Sequence, residues 1–122
     1  MNLLYYMGII STDELREIIN SKRDYVLIDV RTKNELNYGM IPNAVHLCLD
    51  DFEKAFSLNE KDFFSKYNFK KPAKSELIVV YCRTGNRSGA AAEYLESKKY
   101  NVRNYKGSVQ AWSLIDENVR MY

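Results

Sequence analysis

One segment of the chain joins an apolar run to a short polar loop and then to small residues. Residues 77–81 are continuously apolar, residues 83–88 are mostly polar or charged, and residues 89–92 are glycine and alanine. This order is typical of a buried strand, a tight loop and the first turns of a helix. The segment therefore predicts that Cys82 lies at the end of a buried strand. Residues 25–28 are also apolar throughout, which favours a parallel strand covered on both faces.

Strand-like and helix-like segments alternate along the rest of the chain. The other strand-like segments are residues 25–28, 44–47 and 102–105. Residues 88–98 are predicted to form a helix, and a last helix is predicted to carry Trp112. The alternation indicates an α/β fold, with a mostly parallel sheet and helices around it. Because no linker or repeat is visible in 122 residues, residues 1–122 are predicted to be one domain.

Capping patterns predict where two of the helices begin. Ser11 with Glu14, and Thr32 with Glu35, have the spacing of capping boxes. The second helix is predicted to be short and to stop near Gly39. Residues 49–67 are predicted to be mainly helical, and four aromatic side chains are expected to hold them to the body of the domain. These are Phe52, Phe56, Phe63 and Phe64.

Cys82 is the strongest candidate for a reactive residue. Loop N–H groups, the positive end of a helix dipole and the guanidinium groups of Arg83 and Arg87 would all favour a thiolate there. Gly85 allows the positive φ that such a loop often needs. Six residues from Cys82 to Arg87 surround one centre, which suits a small ligand atom attached to the sulfur. We infer a sulfur nucleophile in a site shaped for anions.

Two other interpretations of Cys82 are less favoured. A buried structural cysteine would not require two arginines and a glycine beside it. A cysteine protease needs a base, and His46, the only histidine, is interpreted as a packing residue. Cys48 is interpreted as a small buried hydrophobe, with a role as a resolving thiol left open.

Composition limits the partners and the compartment. A net charge of +2 without a basic stripe gives no support for nucleic acid binding, and no apolar run is long enough for a membrane span. Two cysteines 34 positions apart do not suggest a disulfide framework or a metal cage. Together with the lack of a leader pattern, this predicts a monomer in the cytoplasm, with mitochondria left open.

The loop from Cys82 to Ser88 resembles the active-site loop of rhodanese-family sulfurtransferases. Residues 27–31 resemble the family's first signature strand, and residues 39–44 resemble its G-x-I-P-x-A turn. Residues 107–112 resemble the closing segment, in which many members have a second glycine at the position of Ser108. The resemblance runs from about Ser11 to Trp112. Residues 63–67 and 71–72 further resemble the small thiosulfate:glutathione-type members.

The resemblance implies a fold, a reaction and a set of site residues. The fold would be rhodanese-like, with a mostly parallel five-stranded sheet flanked by helices on both faces. Cys82 would be the catalytic thiolate that takes the outer sulfur of thiosulfate as a persulfide. A thiol such as glutathione or thioredoxin, or cyanide, would accept that sulfur, with no metal and no organic cofactor. The implied substrate-binding residues are Arg83, Thr84, Gly85, Asn86, Arg87 and Ser88.

Within this set, Arg83 is expected to orient the donor. Arg87 and the loop N–H groups are expected to stabilise the charged sulfur. Asp29 and Arg31 are expected to hold the loops at the strand ends, and Trp112 is expected to be part of the core.

Three alternative functions stay open. One is a persulfide carrier for a dedicated acceptor protein, and another is a noncatalytic rhodanese-like interaction module, although such modules usually lack the cysteine or the basic residues. A small cysteine-dependent phosphatase or arsenate reductase is less favoured. The loops of those enzymes place the arginine six positions after the cysteine, whereas here the interval is five.

Overall fold

The computed structural model describes residues 8–122, and its centre is a parallel sheet. The strands are β1 (Tyr25–Asp29), β2 (Val45–His46), β3 (Leu77–Tyr81) and β4 (Asn101–Asn104). Their spatial order is β2-β1-β3-β4, and every neighbouring pair is parallel. The predicted α/β architecture is confirmed.

Five helices lie before, between and after the strands in the described part of the chain. They are α1 (Thr12–Asn20), α2 (Phe52–Phe56), α3 (Glu60–Tyr67), α4 (Asn86–Ser97) and α5 (Ser108–Trp112), with 3-10 turns at Asn34–Tyr38 and Leu49–Asp51. The capping box at Ser11 is present, since its hydroxyl accepts the Glu14 N–H and the Glu14 carboxylate accepts the Ser11 N–H. None of the helices in residues 8–122 has the length and apolar character to cross a membrane.

Two hydrophobic cores lie on opposite faces of the sheet, because alternate strand residues point to opposite sides. Ile78 and Val80 of β3 contribute to the core that also contains residues of α2, α3 and α4. Val79 and Tyr81 contribute to the other core, which also contains residues of α1 and α5. Every residue of β3 is buried. The central strand therefore holds the start of the Cys82 loop in a fixed position.

The expected count of five strands is wrong for the described part of the chain, which has four. Beyond β4, Ile9 forms a single parallel bridge with Asn104, and one bridge is too short to make a strand. The expected packing of Phe64 is also wrong, because this side chain is 55% exposed whereas its neighbour Phe63 is fully buried. Successive residues of a helix point about 100° apart, so α3 can bury only one of the two.

The second capping box forms only in part. The Glu35 carboxylate accepts the Thr32 backbone N–H, but the Thr32 hydroxyl donates to that carboxylate instead of accepting the Glu35 N–H. The turn that follows is a 3-10 helix that ends at Gly39, whose φ is +100°. Glu35 is therefore held by its side chain, which points toward the carboxyl end of the sheet.

The strand order creates a crevice at that end. The chain leaves β1 toward β2 on one side, and it leaves β3 toward β4 on the other. β1 and β3 are neighbours, and their outgoing connections run in opposite directions. The segments that follow these two strands therefore face each other across a crevice between them. In open α/β sheets this is the usual place for a ligand site.

Candidate active site

The Cys82 loop is a short turn between β3 and α4. Gly85 adopts a φ of +100°, and a Cβ at this position would lie 2.4 Å from the Lys106 carbonyl oxygen. Glycine adopts this φ without strain and, having no Cβ, also avoids this contact. Gly85 then caps α4, so that the helix begins at Asn86, two residues earlier than predicted.

The sulfur of Cys82 lies inside this turn and accepts hydrogen bonds there. The N–H groups of Gly85 and Ser88 point at Sγ from 3.1 and 3.4 Å, and the Ser88 hydroxyl lies 3.4 Å away. Cys82 is 1% exposed, and its burial alone would raise the pKa of the thiol. The hydrogen bonds from Ser88, Gly85 and Thr84 outweigh that burial, so the pKa of Cys82 lies below its ordinary value.

Ser108 holds the backbone of Cys82 from the segment after β4. Its hydroxyl accepts the Cys82 N–H at 3.1 Å and donates to the Tyr105 carbonyl at 2.9 Å. Ser108 is fully buried and has a φ of +53°, an unusual conformation for a residue with a side chain. The N–H of Val109 adds a bond to the Cys82 carbonyl. These bonds fix the direction in which the cysteine leaves the strand.

Arg87 is paired with an acidic residue that the sequence analysis did not place in the site. Its Nη1 and Nη2 donate to Oε1 and Oε2 of Glu35 at 2.5 and 2.8 Å. The guanidinium of Arg87 keeps the pKa of Glu35 well below its usual range, and the carboxylate raises the pKa of Arg87. Most of the charge of Arg87 is therefore compensated before any ligand binds.

Arg83 has a different environment. In the described part of the chain its side chain has no hydrogen bond or ion pair, and its Nε is buried without a partner. The guanidinium carbon lies 5.0 Å from the centre of the Tyr122 ring. Arg83 is thus the loop cation whose donors stay available to an anion.

Asp29 and Arg31 form a fully buried ion pair after β1. Arg31 donates to both carboxylate oxygens of Asp29, with a shortest distance of 2.7 Å. Arg31 also donates to the carbonyl groups of Glu35 and Gly39 and to the hydroxyl of Tyr122. Burial alone would lower the pKa of Arg31, but Asp29 raises it above the ordinary value. The pair fixes the segment that carries Glu35.

The remaining candidates lie around this centre. Thr84 and Asn86 are exposed at the surface of the loop. Trp112 is buried, and its Nε1 donates to Asp116 at 3.0 Å. His46 lies 2.7 Å through Nε2 from the Arg31 carbonyl, and Cys48 is half-buried just beyond β2. Within the described residues no cluster of histidine, cysteine or acidic side chains could hold a metal ion.

Fold and loop together define an α/β domain with a buried cysteine whose sulfur accepts backbone hydrogen bonds inside a tight turn. The rhodanese-like domain family matches residues 11–114. The chain therefore belongs to the rhodanese-like domain family, as the loop and signature segments indicated.

Individual relatives agree with this assignment. A Schizosaccharomyces pombe protein, provisionally named a mitochondrial thiosulfate sulfurtransferase, is 40% identical over 89 residues, which span 72% of this chain and 63% of that protein. The human thiosulfate:glutathione sulfurtransferase is 32% identical over 105 residues, spanning 84% and 90% of the two chains. The solved structure of the human single-domain sulfurtransferase TSTD1 aligns with a TM-score of 0.84 at 30% identity. The alignment covers 89% of this chain and 97% of that one.

Proposed function

We propose that the protein is a thiosulfate sulfurtransferase that carries the transferred sulfur as a persulfide on Cys82. The observation that supports this most directly is the position of Sγ, which accepts bonds from the Gly85 and Ser88 N–H groups. Such donors stabilise the thiolate before the reaction and the negative sulfur after it. The names of the relatives point to the same chemistry.

In the first half-reaction the Cys82 thiolate attacks the outer sulfur of thiosulfate. A bond forms between the two sulfurs, the bond between outer and central sulfur breaks, and sulfite leaves with the electron pair. The total charge of −3 is the same before and after the step, and no oxidant is needed. Cys82 then carries a persulfide anion.

In the second half-reaction a nucleophilic acceptor, either a thiolate or cyanide, attacks the terminal sulfur of the persulfide, and the bond between the two sulfurs breaks. Glutathione or thioredoxin would leave as a persulfide, cyanide would leave as thiocyanate, and the Cys82 thiolate would be regenerated. The balance requires no metal and no organic cofactor.

Arg83 has the main part in capturing the donor. A thiolate and a dianion repel each other, so a cation is needed beside the sulfur. A pair of unit charges about 4 Å apart is worth roughly 4 kcal/mol at an effective dielectric constant near 20, before desolvation. Arg87 contributes less of this attraction because Glu35 already compensates its charge. The sequence analysis expected Arg87 to stabilise the charged sulfur, and its pair with Glu35 weakens that contribution.

A panel of acceptors tests the proposal. Purified protein receives thiosulfate with glutathione, reduced thioredoxin or cyanide, and the release of sulfite is measured. Cys82→Ser should abolish turnover with every acceptor. Cys48→Ser is the matched control, because it removes the other thiol and should keep the activity. Turnover that survives Cys82→Ser would overturn the proposal.

The same preparation can test the phosphatase alternative with para-nitrophenyl phosphate. Hydrolysis that depends on Cys82 would favour a phosphatase over a sulfurtransferase. The cytoplasmic location and the monomeric state stay predictions.

A further inference from the structure

Tyr122 connects the Cys82 loop to the segment after β1. Its hydroxyl donates to Oε2 of Glu35 at 2.5 Å and accepts from Nη1 of Arg31 at 3.1 Å. Its ring stacks on Tyr38 with 4.1 Å between ring centres and an interplanar angle of 12°. The guanidinium carbon of Arg83 lies 5.0 Å from the centre of the same ring.

We propose that Tyr122 is a positioning residue that holds the Arg83 guanidinium where it captures the anionic sulfur donor. The proposal rests on the proposed function and deepens it, because it assigns selectivity for doubly charged donors to one aromatic ring. The hydroxyl anchors the ring to the two charged residues, and the ring supports the arginine.

The Tyr122 ring contacts the Arg83 guanidinium and orients it. A guanidinium within about 6 Å of a tyrosine ring centre is attracted by the negative face of the ring. This contact uses none of the N–H donors of Arg83, and its buried Nε has no hydrogen-bond partner among residues 8–122. An arginine held by a carboxylate would have its charge compensated, as Arg87 does. Tyr122 can thus fix the direction of Arg83 without compensating its charge.

The anchor of the ring is itself fixed. Glu35 is bound by Arg87, and Arg31 is bound by Asp29 in a fully buried pair. Burial of the Tyr122 hydroxyl and its bond to Glu35 raise its pKa, so it stays protonated and can donate at neutral pH. Its two partners follow β1, whereas Arg83 follows β3. Tyr122 therefore ties the two sides of the crevice together.

A double-mutant cycle between Tyr122 and Arg83 tests the proposal. Tyr122→Leu removes the ring and should raise the KM for thiosulfate about three- to tenfold, the range expected for a cation–ring contact. In an Arg83→Ala background the same substitution should change KM by less than about twofold, since the residue through which it acts is gone. Tyr122→Phe keeps the ring but loses the hydroxyl that anchors it, so its KM should lie between those of the wild type and Tyr122→Leu.

A second donor separates positioning from general loss of structure. Methanethiosulfonate carries the same kind of transferable sulfur but only one negative charge, and methanesulfinate is its leaving group. Because the attraction to Arg83 scales with charge, Tyr122→Leu should change its KM by about half as much on a logarithmic scale. Tyr100→Leu is the structural control. It removes an aromatic ring near the amino end of β4, far from the loop, and should not change either KM.

Equal effects of Tyr122→Leu with and without Arg83, or equal effects on the two donors, would overturn the proposal. Calorimetry can measure the binding of thiosulfate to the Cys82→Ser protein and to the Cys82→Ser/Tyr122→Leu protein. This measurement does not need turnover. Unchanged binding there would also overturn it. Failure of the wild-type protein to accept sulfur from either donor would instead overturn the proposed function.

Discussion

Removal of the Ser88 hydroxyl should raise the pKa of Cys82, because it takes away one of the hydrogen bonds that favour the thiolate. The hydroxyl is buried 3.4 Å from Sγ, and the Ser88 N–H remains when serine is replaced by alanine. A hydrogen bond to a charged group contributes about 1.5–3 kcal/mol, and the long distance to sulfur places this one near the lower end. Since about 1.4 kcal/mol is a factor of ten in an equilibrium constant, Ser88→Ala should slow alkylation of Cys82 about tenfold at a pH where the thiol form predominates.

The shift can be measured by the pH dependence of alkylation with iodoacetamide. A Cys48→Ser background leaves Cys82 as the one reactive thiol, and the acid limb of kcat/KM should move in the same direction. Ser97→Ala is a matched control, because that hydroxyl binds the Tyr94 carbonyl at the other end of α4. An unchanged pKa in folded Ser88→Ala, or an equal shift in Ser97→Ala, would refute the reasoning.

Three further predictions concern charge and backbone. Arg83→Ala should raise the KM for thiosulfate about 10- to 100-fold with little change in thermal stability; an unaltered KM would remove Arg83 from donor capture. Glu35→Gln should lower the free energy of unfolding by about 1–2 kcal/mol near pH 7, because it breaks the partly buried pair with Arg87. Because the folded pKa of Glu35 lies below its ordinary 4.5, the pair stabilises fully above that pH and progressively less as the pH falls, so denaturation of wild type and variant should converge in acid. A constant difference down to about pH 3 would contradict this. Gly85→Ala should lower both stability and alkylation rate, because its Cβ would meet the Lys106 carbonyl; a thermal midpoint equal to that of wild type would contradict the loop geometry.

The strand, loop and helix around Cys82 could be predicted because their signals are local. An apolar run, a glycine and small residues follow one another in the chain, and each has a physical meaning in its own short window. The capping box at Ser11 was predictable for the same reason. The bridge that Ile9 forms at the edge of the sheet was not predictable, because one bridge leaves no periodic pattern in the sequence.

The contacts that complete the site join residues far apart in the chain. Glu35 and Arg87 are separated by 52 positions, and Tyr122 is 87 positions from Glu35. The sequence analysis interpreted Glu35 only as part of a capping box and gave Tyr122 no role. A parallel sheet brings the segments after β1 and β3 to one edge, which is the signal that could have suggested the Glu35–Arg87 pair.

The role of Ser108 could not be predicted from its residue type. The sequence shows a serine at position 108, but neither its positive φ nor its bond to the Cys82 N–H can be inferred from residue type. The hydroxyl supplies a buried partner to the N–H, whereas a glycine there would adopt the same φ without strain. Its role depends on three-dimensional placement.

Mass spectrometry of the intact protein after incubation with thiosulfate tests the central claim most directly. Reduced, folded protein should gain the mass of one sulfur atom, peptide mapping should place it on Cys82, and an equal amount of sulfite should appear. Glutathione should then remove the added mass. An unmodified Cys82 after incubation, or an added sulfur on Cys48 alone, would contradict the account.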